Sequence, residues 1–235
     1  MRRGSRPRST AVVVASLPIG ATRIGLLPSS AARVFAPAAT TSWTSFSLWL
    51  SITTALVVAA GCKTLAIDDG KSPILVAPIG KDATTTAIER ELDPRRTVAV
   101  DLTGDANKRV TIMMPPNGDP QVRDAAAAMF ARAGTRVTLI KDSPGFIAQR
   151  IVSMIANLGC EMAMIGIASA ADVDTAMTLG LNYPRGPLAL ADWLGVKECH
   201  EILAQLQAIT GDDRYRPSQW LRRRAMLGMS AMSPE

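Results

Sequence analysis

Cys199, His200 and Glu201 are the one place in this sequence where a thiol, an imidazole and a carboxylate stand together. Adjacent ligands do not by themselves make a metal site, and His200-Glu201 lacks the second histidine that a zinc-protease helix carries. No metal is expected. Cys62 and Cys160 lie far from that cluster and from each other, without CxxC pairing. That usage points to a reducing compartment rather than a disulfide framework. Phosphate chemistry would need a glycine-rich turn whose backbone N–H groups approach the anion. No G-x-G-x-x-G occurs, and Gly80-Lys81 is followed by Asp82, so neither a dinucleotide fingerprint nor a P-loop is present.

The elements around these residues change character along the chain. Short β-branched runs predict strands at Thr64–Ile67, Ile74–Ala77, Thr97–Asp101, Val110–Met113 and Arg136–Ile140. Asp82 can cap a helix over Ala83–Glu91, and Asp119-Pro120 can start another that runs to Ala133 and closes at Gly134. Strands alternating with helices imply a mostly parallel sheet with βαβ crossovers. Residues 46–141 thus read as a degenerate Rossmann-like segment, a nucleotide-binding architecture without its nucleotide-binding chemistry.

After Asp142 the strands stop. From Phe146 the apolar positions Ile147, Ile151, Met154, Ile155, Leu158, Met162 and Ile165 repeat at helical spacing, and small residues fill much of the rest of the helix. A helix apolar nearly all round belongs in a bundle centre or across a subunit interface. Ser169-Ala170-Ala171-Asp172 is a capping box for a helix ending at Gly180. A tight loop, 181–187, leads to helices ending at Leu194, at Thr210 and at Leu227. Residues 142–235 therefore predict a compact all-α domain, so the fold class is α/β plus all-α, an incomplete Rossmann-like parallel sheet followed by a helical domain.

The charge balance needs locating before it is interpreted. The chain has 26 basic and 20 acidic residues, but seven of the basic ones and none of the acids lie in residues 1–67. The rest is close to neutral, which leaves no broad footprint for nucleic acid. Residues 1–45 read as a poorly ordered basic leader, with an organelle-targeting peptide or a misassigned start as the other readings. Trp43–Gly61 is uncharged and near the ~20 residues that span a bilayer, but its Ser and Thr content argues against a membrane tether. A cytoplasmic location is expected.

Several blocks then carry a resemblance. Asp142-Ser-Pro-Gly-Phe-Ile-Ala-Gln-Arg150, Ala168-Ser169, Asp172-Val-Asp-Thr-Ala-Met177, Gly180, Tyr183-Pro-Arg-Gly-Pro187, Asp192, Gly195 and Gly211-Asp-Asp-Arg-Tyr-Arg-Pro217, in this order, resemble the C-terminal domain of 3-hydroxyacyl-CoA dehydrogenases. The stretch from about Ser72 to Asp142 looks like the middle of the longer bacterial form, where a degenerate Rossmann-like piece precedes a second helical domain.

The resemblance implies an oxidoreductase of fatty-acid metabolism that oxidises the 3-hydroxyl of an acyl-CoA with NAD, and a homodimer formed through the helical domain. In the family the NAD fingerprint and the catalytic His–Glu pair belong to an upstream Rossmann domain. This chain has neither, so no cofactor-binding residue is assigned and the chain alone is expected to be inactive. The family's functional Asn falls here on Gln149, one methylene longer, making it the sole candidate catalytic residue. Arg150, Tyr183 and Pro187 are the candidate substrate-binding residues, against a packing role for Arg150 and a rigid-loop role for the other two. Arg222-Arg223-Arg224 could grip CoA phosphates or simply sit solvated near a helix C-terminus. The rival reading is a non-catalytic dimerisation or acyl-CoA-binding module.

Overall fold

The computed structural model describes residues 12–14, 30–35, 55, 57–64 and 68–234. Most of the stretch read as a leader, and residues 43–54 of the uncharged stretch, lie outside them. Among the described residues no helix is long and apolar enough to cross a membrane. The chain folds as two compact units, one of residues 1–78 with 82–143 and one of residues 79–81 with 144–235.

The first unit is built on one sheet. Its strands are β1 (Val12–Val14), β2 (Ser30–Phe35), β3 (Cys62–Thr64), β4 (Ile74–Val76), β5 (Thr97–Asp101), β6 (Arg109–Met113) and β7 (Arg136–Leu139), in the order β3-β2-β1-β4-β5-β6-β7. β1 and β2 fall within the stretch read as a leader. The strand expected at Thr64–Ile67 is seen at Cys62–Thr64, and residues 65–67 are outside the described set. Helix α1 (Ala83–Glu89) joins β4 to the parallel β5, and α2 (Pro120–Arg132) joins β6 to the parallel β7. These are the two crossovers that the alternating pattern implies. β5 and β6 pair antiparallel, as do β1 with β2 and β1 with β4, so the sheet is mixed rather than mostly parallel. The link of residues 102–108 is too short for a crossover, which needs a dozen residues or more.

All five residues of β5 are inside, with Val98, Ala99 and Val100 as its apolar centre between the buried polar ends Thr97 and Asp101. Leu75, Val98, Val100 and Ile112 pack with Val122, Met129 and Phe130 of α2. Arg96, just before β5, is also buried. Its guanidinium donates to Ser72 O at 2.8 Å and to the carboxylates of Asp68 and Asp93. Those bonds hold Asp68 below the usual carboxylate range and raise Arg96.

The second unit contains α3 (Ala148–Met164), α4 (Ala170–Leu181), α5 (Pro187–Leu194), α6 (Val196–Thr210), a 3-10 turn (Asp213–Tyr215) and α7 (Gln219–Leu227). The capping box at Ser169 forms, with Asp172 N–H donating to the Ser169 hydroxyl. Ala156 and Cys160 of α3 pack with Leu188 and Ala191 of α5, Cys199, Ile202, Leu203 and Leu206 of α6, and Leu221 of α7. Burial pushes the Cys160 and Cys199 thiols up to about 12 and also raises Cys62. A thiolate is the reactive form. A disulfide-exchange reagent should therefore find no reactive thiol in the native protein and three after denaturation; rapid labelling of the native chain would contradict this packing.

Candidate functional site

The long helix α3 buries three polar side chains beside its core residues Ala156 and Cys160. Its inward face carries Gln149, Ser153 and Asn157, all buried and each with a partner. The Ser153 hydroxyl donates to Gln149 O, Asn157 Nδ2 donates to Arg216 O, and Asn157 Oδ1 accepts from Ser218 N–H at 2.8 Å. Its outward face carries Ile151 and Leu158, 50% and 64% exposed, with Ile147 before the helix and Ile165 after it also exposed. These aliphatic side chains form an exposed apolar row along the helix.

The four candidate site residues all lie in this helical unit but do not converge. Gln149 is 3% exposed, and its Oε1 accepts from Gly80 N–H at 2.9 Å. Arg150 is partly buried and donates to Pro144 O at 2.6 Å. Both stand at the start of α3. Pro187 is buried against Gly159, ten residues along the same helix, which is about 15 Å along its axis. Tyr183 is partly buried, and its N–H points to Met177 O at 3.5 Å. The loop that bears Tyr183 and Pro187 is organised instead by Asp174 of α4. Its two carboxylate oxygens accept from Leu188 N–H at 2.7 Å and Ala189 N–H at 2.9 Å, capping α5 from a neighbouring helix. Asp192 does similar work at the C-terminal tail, accepting from Ala231 N–H and the Ser230 hydroxyl. Both aspartates belong to the blocks that carry the resemblance, but their capping role has no spacing signal, because each cap is contributed from another element.

Of the three arginines 222–224, Arg224 is buried over the Trp220 ring at 3.3 Å to its centroid and donates to Ser233 O, whereas Arg222 and Arg223 are exposed. His200 is partly buried on α6. Burial holds its pKa below 6.5, with Arg222 acting in the same sense and Glu201 opposing. The folded state then prefers the neutral ring. Its contribution to stability is complete above pH 6.5 and is lost as the pH falls below that value. His200→Gln should flatten that part of the pH–stability profile in chemical unfolding; an unchanged slope would assign it to another group. Among the described residues no group of three or more His, Cys, Asp or Glu could hold a metal.

The NAD that the resemblance implies does not fit the turn between β4 and α1. Gly80 is its sole glycine, and its N–H is engaged by Gln149. The first amides of α1 are engaged by the carboxylates of Asp82 and Asp142.

A reduced sheet with βαβ crossovers, followed by an all-helical unit built round one long helix, defines a two-part architecture of Rossmann-like and helical domains. Residues 78–144 match the family model of the 3-hydroxybutyryl-CoA dehydrogenase reduced Rossmann-fold domain, and residues 145–232 that of the 3-hydroxyacyl-CoA dehydrogenase C-terminal domain. The chain belongs to the 3-hydroxyacyl-CoA dehydrogenase family. It is 40% identical over 122 residues to the 3-hydroxyadipyl-CoA dehydrogenase of Escherichia coli K12, covering 52% of this chain and 26% of that protein. It is 41% identical over 88 residues to a probable 3-hydroxybutyryl-CoA dehydrogenase of Deinococcus radiodurans, covering 37% of this chain and 32% of that protein. The crystal structure of a 3-hydroxybutyryl-CoA dehydrogenase from Escherichia coli K12 superimposes with a TM-score of 0.60 at 34% identity, over 69% of this chain and 34% of its own. The chain thus spans about a third or less of each of these relatives.

Proposed function

We propose that this chain supplies the substrate-enclosing and dimerising part of an NAD-dependent 3-hydroxyacyl-CoA dehydrogenase, whose cofactor site and catalytic base reside elsewhere. The observation that carries this reading is the exposed aliphatic row on helix α3. Its polar groups are satisfied inward and its aliphatic row of Ile147, Ile151, Leu158 and Ile165 faces out. A two-fold pairing would bury the row against its own copy, since an isologous interface is self-complementary. Acyl-CoA is the substrate class, by kinship with relatives named for 3-hydroxyacyl-CoA chemistry. Arg150, Tyr183 and Pro187 remain proposed contributors to the enclosure, through the loops they stiffen. The three buried free thiols suit a reducing, cytoplasmic home.

Light scattering coupled to gel filtration tests this reading. The native chain should run as a dimer, and Ile151→Lys with Leu158→Lys should run as a monomer with unchanged helical circular dichroism. A monomeric native chain would overturn the dimer. Activity divides the enzyme part from the rival module: the chain with acetoacetyl-CoA and NADH should show no turnover until a family member bearing an NAD-binding domain is added. Failure of that addition to produce turnover beyond the added protein's own would favour a non-catalytic dimerisation or acyl-CoA-binding module, for which the absent glycine-rich turn already speaks.

A further inference from the structure

In a dinucleotide-binding fold the first βαβ crossover points the amides of its helix start at the cofactor's pyrophosphate. Here β4, α1 and β5 make such a crossover, and the anion that meets those amides comes from the chain itself. Asp142, on the segment leaving β7, accepts through Oδ1 from Ala83 N–H at 2.7 Å and through Oδ2 from Thr84 N–H at 3.0 Å. The Thr84 hydroxyl donates to the same Oδ2, and Asp82 takes the next amide, Thr85 N–H. Three successive backbone donors are thus satisfied by two carboxylates, one of them 58 residues away in sequence from Thr84.

We infer that Asp142 is a built-in substitute for the cofactor's pyrophosphate. The bidentate carboxylate offers two acceptor oxygens to consecutive amides, as a phosphate does, and brings the negative charge that a helix start favours. It also ties the end of the last strand to the first helix of the sheet, a connection that a bound dinucleotide would otherwise have to occupy. With Asp82 beside it, a phosphate approaching the start of α1 meets two carboxylates, and the amides of Ala83, Thr84 and Thr85 are already engaged. The unit therefore keeps its crossover ordered without a nucleotide, and it has closed the place where one would bind. This inference does not depend on the proposed dimer, because a monomeric chain would carry the same carboxylate.

Amide hydrogen exchange followed by NMR, with an NADH titration of the same full chain, tests it. In the native protein the Ala83 and Thr84 amides should be protected, and NADH up to about 1 mM should shift none of the resonances of residues 82–85. In Asp142→Ala those two amides should exchange about tenfold faster or more, the effect of losing one hydrogen bond each, while the β5 amides keep their rates. Asp142→Asn, which keeps one acceptor oxygen and the side-chain shape, should fall between the two and guards against failure of the alanine variant to fold. Saturable NADH shifts at residues 82–85 of the native chain, or unchanged exchange at Ala83 and Thr84 in both variants, would overturn the inference.

Discussion

Gly186→Ala is expected to destabilise the helical unit by about 3 kcal/mol or more, combining the cost of overpacking with the loss of a helix cap. The backbone at Gly186 is ordinary, with φ of −68°, so conformational freedom is not the reason. Space is the reason. A Cβ at Gly186 would collide with the side chain of Asp174 and would lie 2.5 Å from its Cα, which belongs to the backbone of α4 and cannot rotate away. The close approach is what lets Asp174 reach the Leu188 and Ala189 amides, since α5 begins Gly186-Pro187 with no cap from its own sequence. Moving α4 out would also lift Pro187 from Gly159 and loosen the contact between α3 and α5. For a unit of this size, 3 kcal/mol corresponds to a fall in Tm of roughly 12–24 °C. Asp174→Ala, which removes the cap but not the space, should cost only about 0.5–2 kcal/mol. Urea unfolding of both variants orders the effects, and a glycine variant no weaker than the aspartate variant would show that α4 can yield.

The contrast between those two residues shows what the sequence made legible. The helix boundaries of α4, the caps at Asp82, Asp119 and Ser169, and strand β5 follow from local spacing, and the structure places them where that spacing predicts. Local pattern cannot show which helix start is capped by a residue from elsewhere. Asp142 and Asp174 both read as members of family blocks, yet each closes a helix start belonging to another element. The mixed sheet was also hidden, since strand periodicity is the same in parallel and antiparallel pairs and only the short link 102–108 bears on direction. The apolar character of α3 was plain. That its polar minority faces inward, so that the aliphatics are left outside, depends on the partners Arg216 and Ser218 some sixty residues on.

Gly80→Ala should be the second large loss, about 3 kcal/mol, and its pairing with Gln149 separates a positioning role from a catalytic one. Residues 79–81 fold with the helical unit although the chain on both sides belongs to the other. Gly80 has φ of +72°, which costs an alanine about 1–2 kcal/mol, and a Cβ there would sit 2.8 Å from Cα and O of Ile202 on α6, adding about 1–3 kcal/mol of overpacking. Gln149→Ala would leave the buried Gly80 N–H without its acceptor, a cost of about 1–3 kcal/mol. Because both changes act on the same three-residue strap, the double variant should lose clearly less than the sum of the two. Gln149→Asn is the decisive comparison. It restores the residue type that the family carries here, but its amide is one methylene shorter and falls short of the Gly80 N–H. If Gln149 positions the strap, the asparagine variant loses stability like the alanine one and gives no gain in turnover when the chain is assayed with a family member that binds NAD. If the position serves catalysis in that mixture, asparagine raises turnover while alanine abolishes it. The 2.9 Å bond to Gly80 and the burial of the side chain favour the first outcome.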